Sequence, residues 1–92
     1  MPAIPTVHLN GTNGAELRDR LLDAVIALRA AMNAMYDAAP NGRDYYVQGD
    51  GATSAAMREH ADRLAIVGEV ARELETICEG VLAQLEVSAG ER

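Results

Sequence analysis

Leu64, Ala71, Cys78 and Leu85 stand seven residues apart, and Val67, Leu74 and Val81 form a second row of the same period between them. A sustained seven-residue apolar repeat keeps one stripe of a helix facing one direction along its whole length, so this segment is predicted to be a helix lying against another helix. It should begin near Thr53 or Ser54 and cover residues 53–87, which at 1.5 Å per residue is roughly 50 Å. A partner lies upstream. Leu17, Leu21, Ala24, Leu28, Ala31 and Met35 recur at alternating spacings of four and three, the signature of a first amphipathic helix, predicted over residues 14–39. Asn13 followed by Glu16 has the spacing of a reciprocal N-terminal cap. Pro40 cannot continue the helical ladder, and Asn41-Gly42 after it is a turn signal.

The interior has to be built from small and aliphatic side chains, because a chain that is 49% apolar contains no Phe, no Trp and three Tyr. No stretch alternates apolar with polar over strand length, so no sheet is expected. Ninety-two residues make one domain with a thin core. The apolar surface is nevertheless wide: Leu22, Val25, Ile26 and Met32 broaden the first helix, and Ile66, Val70 and Ile77 form a second row on the other. A lone pair of helices would leave one set wet. The predicted fold class is all-α: an antiparallel helical hairpin with a short extended N-terminal arm, assembling as a helical oligomer. The arm is assigned to residues 1–12, which hold Pro2, Pro5 and an extended-looking Ile4–Leu9 stretch, and a short tail to residues 88–92. Gly68 and Gly80 interrupt the second helix, each disfavoured by about 1 kcal/mol relative to Ala. Simple tolerance is the favoured reading there over close approach of another backbone or a ligand.

A formal charge of −6 argues against a nucleic-acid polymer or an anionic membrane as partner, since both need a basic face. All eight basic residues are Arg, each a planar fork suited to carboxylate or phosphate. Cys78 is alone and has no disulfide partner. No charged start, apolar run and cleavage site combine at the N-terminus, so a cytoplasmic location is expected. No apolar segment approaches the roughly 20 residues that span a bilayer.

The segment 40–52 is about twice as long as the usual connection between packed helices. Arg43, Tyr45 and Tyr46 supply a phosphate-compatible fork, stacking faces and hydroxyls within four positions, and Asn41 adds an amide. The competing reading makes Tyr45 and Tyr46 a plug at the open end of the helix pair, with Asp44 pairing Arg43. His8 and Asn10 belong to the opposite end within one chain, and a head-to-tail assembly could bring them to the loop of a neighbour. Alternatively, Asn10-Gly11-Thr12-Asn13 is only a turn leading into the helix. Sequence motifs for hydrolases, nucleotide-binding loops and zincins are absent. His8, His60 and Cys78 are too scattered for a zinc site, and Cys78 at a seam position reads as a small core hydrophobe. The expectation is a non-enzyme without cofactor or metal.

Val7-His8-Leu9-Asn10-Gly11-Thr12, and Asn41-Gly42-Arg43-Asp44-Tyr45-Tyr46 after Ala39-Pro40, resemble the two polar motifs of a group of small helical proteins carried by tailed phages and prophages. The resemblance covers roughly residues 4–50, while the later helix is similar only in character. Where such sequences usually continue Tyr-Pro, this chain has Tyr46-Val47. The resemblance implies kinship more than mechanism. Phage origin favours one function class: an oligomeric anti-defence sponge in the host bacterial cytoplasm that sequesters a small nucleotide signal, a cyclic oligonucleotide or ADP-ribose derivative. The site residues for such a ligand follow from their chemistry, namely Arg43, Tyr45, Tyr46, Asn41, His8 and Asn10. The alternative is a protein-interaction module, a phage assembly adaptor or an inhibitor that binds a host protein through the second helix.

Overall fold

The computed structural model describes residues 1–90, with side chains as far as Ser88. It is all-helical, and among the described residues no strand forms. Helix α1 spans Gly14–Asp37, a single turn α2 spans Gly42–Tyr45 and leads into a 3-10 turn at Tyr46–Gln48, and α3 spans Ala52–Gly90. Among the described residues, no helix is long and apolar enough to cross a membrane.

Each boundary has a local cause. Asn13 Oδ1 accepts from the Ala15 and Glu16 amides at 2.9 and 3.3 Å, meeting two of the donors a helix start leaves open. The cap is one-sided, because the Glu16 carboxylate pairs with Arg20 a turn ahead. α1 stops two residues before Ala39, where the Ala38 amide is shared between Ala34 O and Met35 O, both at 3.1 Å. That tightening fits a chain about to meet Pro40. α3 starts at Ala52 after a reversal through Gly49 and Gly51, whose φ angles of 113° and 82° are ones that side-chain-bearing residues avoid. It runs through 88–90, past the expected end at Val87; the rest of the expected tail, 91–92, lies outside the described residues.

α1 lies along α3, and their contacts run in opposite order along the two helices. Cys78 Sγ reaches Arg18 O at 3.9 Å, Arg29 Nη2 meets Glu75 Oε1 at 2.6 Å, and His60 Nε2 lies 2.6 Å from Met35 O. The α3 seam faces this contact: Ala71, Cys78 and Val81 are buried, and Leu64, Val67, Leu74 and Leu85 are half-buried. The α1 seam differs from the sequence expectation by one residue. Val25 is buried and Met32 half-buried while Ala31 is exposed, so the inner rows are 18, 25, 32 and 21, 28, 35. The larger side chains turn inward, and Arg18 is tolerated among them because its guanidinium turns out to Asp19.

The arm packs on the far half of α3. Ile4 fills the notch at Gly80, where a Cβ would lie 2.6 Å from Ile4 Cγ2. Val7 and Leu85 close over Gly14, where a Cβ would come within 3.1 and 2.6 Å of them. Gly80 therefore serves a close approach, contrary to the reading of mere tolerance. Gly68 is buried with Met32 Cε 3.3 Å from where its Cβ would be.

The result is a rod of 66 × 22 × 21 Å with a radius of gyration of 19.5 Å, against about 12 Å for a compact domain of this length. Among the described residues, only five apolar side chains are buried, Val25, Ala56, Ala71, Cys78 and Val81.

Candidate functional site

The loop end of the rod is organised by Asn41. Its Oδ1 accepts from the Asp44 amide at 3.2 Å, and its Nδ2 donates to Asp44 Oδ2 at 2.9 Å. This reciprocal clasp holds α2 as one turn and occupies Asp44. Asp44 does not pair with Arg43, as the plug reading requires. Arg43 is exposed and, among the described residues, makes no hydrogen bond or ion pair.

The two tyrosines part company. Tyr45 is half-buried, while Tyr46 is 70% exposed and Val47 74% exposed. Consecutive residues in a helical turn point about 100° apart, so only one of a Tyr-Tyr pair can face the end of α3. Tyr46 plugs nothing. Its ring and hydroxyl stand in solvent three positions after the exposed Arg43, while the side-chain hydrogen bonds of the turn are those of Asn41 and Asp44 and the Tyr46 backbone bonds to Gly42 O and Gly49 N.

His8 and Asn10 lie at the other end, where α1 begins and α3 finishes. The Gly11 amide donates to His8 O at 3.1 Å, closing a turn. The His8 ring lies over Gly11, with Nε2 2.9 Å from where a Cβ would stand. Asn10 is exposed. The arm is fastened by Gln84: the Val7 amide donates to Gln84 Oε1 at 2.8 Å, and Gln84 Nε2 donates to Pro5 O at 2.8 Å. One side-chain amide thus reads an extended backbone at two points. Within one chain the six candidate residues form two groups at opposite ends of a 66 Å rod: Asn41, Arg43, Tyr45 and Tyr46 at one, His8 and Asn10 at the other.

Among the described residues, hollows open at places not lined by those six. One of 350 Å³ opens between the arm and α3 at Val7, Ala83, Gln84 and Val87. Two more lie between α1 and α3: 200 Å³ beside Leu22, Val25 and Cys78, and 400 Å³ beside Met32, Tyr36, Ala65 and Gly68. Among the described residues, no three His, Cys, Asp or Glu side chains converge as a metal site would require.

Two structural contacts escaped the sequence reading. Gln84 carried no signal, since its partners lie 77 and 79 positions away. His60 left a faint one: α1 has no basic residue in its last turn, a place where a donor or cation is favourable, and His60 of α3 supplies it at Met35 O. Comparison with family models, with characterised proteins and with solved structures returns no match to this chain.

Proposed function

We propose that this chain is the protomer of an oligomeric, non-catalytic binder that sequesters a small anionic nucleotide, a cyclic oligonucleotide or an ADP-ribose derivative, in the anti-defence role the phage resemblance implies. Its location in this reading is the host bacterial cytoplasm. The observation that carries the reading is that Arg43, exposed and unpaired among the described residues, stands three positions before the 70% exposed Tyr46, on a turn clasped by Asn41 and Asp44. A free guanidinium offers two parallel donors to phosphate, and a tyrosine face stacks on a base for about 1–3 kcal/mol. Neither group has to break an existing contact to receive a ligand.

A single rod presents these groups on a convex end, and small ligands are held in concave sites. The reading therefore includes assembly: the helix pair acts as an antiparallel hairpin unit, and head-to-tail neighbours bring His8 and Asn10 of one chain to Arg43, Tyr45 and Tyr46 of the next. Arg43→Ala and Tyr46→Ala are expected to lower retention of the nucleotide at least tenfold, with helicity and oligomer mass unchanged. Retention within twofold of wild type in both variants removes the site assignment.

A second reading rests on Ile66, 66% exposed, and Val70, 43% exposed: an adaptor or inhibitor that offers α3 to a host protein. Ile66→Arg would then abolish activity in the phage while nucleotide retention, if present, persists.

A further inference from the structure

The two hollows between α1 and α3 are consecutive stretches of one groove. Glu75 edges the first and Arg72 the second, and three positions along a helix share a face. The Arg29–Glu75 ion pair crosses between the helices at that point. α1 raises a ridge along the groove, with Leu22 47%, Ile26 59% and Tyr36 59% exposed. α3 answers with Ala61, Ala65 and Gly68, whose small side chains leave the surface hollow.

We infer that a second copy of this chain docks in this groove, antiparallel, about a two-fold axis. The exposed area is sufficient for an interface. The chain exposes 6687 Å², whereas a compact monomer of 9.8 kDa exposes about 5,200 Å². The excess of roughly 1,500 Å² is nearly twice the ~800 Å² that each partner commits to a standard interface. Shape decides that the occupant is a copy. A two-fold interface requires ridge and hollow on the same face of one chain, and this face carries both.

Charge decides the direction. Arg72, which also pairs with Glu69 of its own chain at 2.5 Å, lies toward one end of the groove, and Glu79, in no ion pair among the described residues, lies toward the other beyond the Arg29–Glu75 pair. Antiparallel docking sets Arg72 beside the partner's Glu79, and the same contact recurs on the other side of the axis. Parallel docking would align Glu79 with its own copy. The assignment does not depend on what the loop binds, and assembly mass and ligand retention are separate readouts.

Two experiments test it, starting with Ala65→Arg weighed by native mass spectrometry at tens of micromolar. Ala65 is exposed in the single chain and arginine is a good helix former, so far-UV circular dichroism is expected to match wild type while the assembly loses at least half its mass. The second, which stands even if that variant misfolds, places Arg72→Cys and Glu79→Cys together in a Cys78→Ser background. Seven residues of one helix span about 10.5 Å, beyond the ~7 Å a disulfide can bridge, so the two cysteines can join only between chains. A covalent dimer that forms with both cysteines, and with neither alone, is the expected result. A wild-type protein that weighs as a monomer, an Ala65→Arg variant of unchanged assembly mass, or a cysteine pair that gives no dimer overturns the inference.

Discussion

Ile4 occupies the place a side chain at residue 80 would take: a Cβ on Gly80 lies 2.6 Å from Ile4 Cγ2 and 2.8 Å from its Cδ1. Seventy-six positions separate the two residues, so a glycine that weakens α3 locally is explained by the arm. Gly80→Ala pits these effects against each other. Alanine favours the helix by about 1 kcal/mol, yet its methyl group displaces Ile4. The expected outcome is a helix that melts no lower than wild type, with an arm that lifts away, read as faster hydrogen exchange at the Val7 amide. Gln84→Ala should release the same amide without touching the notch. It removes two hydrogen bonds to the arm at about 0.5–1.5 kcal/mol each, and Val7 exchange should rise roughly tenfold or more. Unchanged protection of Val7 in both variants contradicts this fastening.

His60 ties α3 to the end of α1. Its Nε2 lies 2.6 Å from Met35 O in a half-buried setting, adding a second donor to a carbonyl that otherwise receives only a share of the Ala38 amide. His60→Ala should lower the unfolding free energy by about 1 kcal/mol, measured as a lower urea midpoint with an unchanged slope. His60→Gln, which keeps a side-chain donor, should recover part of that loss. Equal midpoints for wild type and His60→Ala would show that the contact contributes nothing.

Ala71 sets how closely the helices approach. It is wholly buried in the middle of the α3 seam, where a longer side chain has no space to enter. Ala71→Leu adds apolar bulk that hydrophobicity alone would reward, but overpacking a filled contact costs typically about 1–3 kcal/mol. A thermal midpoint several degrees below wild type is expected. A midpoint above it would mean that the seam contains unfilled space.

The α3 seam is legible because its two rows hold a strict seven-residue period from 64 to 85, about six helical turns, and nothing polar intrudes at 64, 67, 71, 74, 78, 81 or 85. The α1 register is not. Ala24, Ala27, Ala30, Ala31 and Ala34 make several rows look apolar, and Arg18 disguises the row that includes Val25 and Met32. Side-chain size separates these rows only once α3 is in place. Among the candidate site residues, Asn41 and Asp44 could be read as turn formers, but which of two adjacent tyrosines faces solvent depends on where the end of α3 lies. The opposite placement of His8 and Arg43 follows directly from two helices joined by one turn. The roles of Gly80, Gln84 and His60 rest on partners 25 to 79 positions away, a separation that no local pattern encodes.

The proposed function requires that the assembled protein retain a small anionic nucleotide at the Arg43–Tyr46 turn. The most direct measurement is native mass spectrometry of the wild-type protein after incubation with cyclic dinucleotides, cyclic trinucleotides and ADP-ribose cyclisation products. The expected spectrum shows an oligomer carrying one ligand class at a fixed ratio per assembly, and the same oligomer empty when Arg43→Ala replaces wild type. An oligomer that stays empty across the whole panel contradicts the claim and leaves the exposed α3 face, with Ile66 and Val70, as the functional surface.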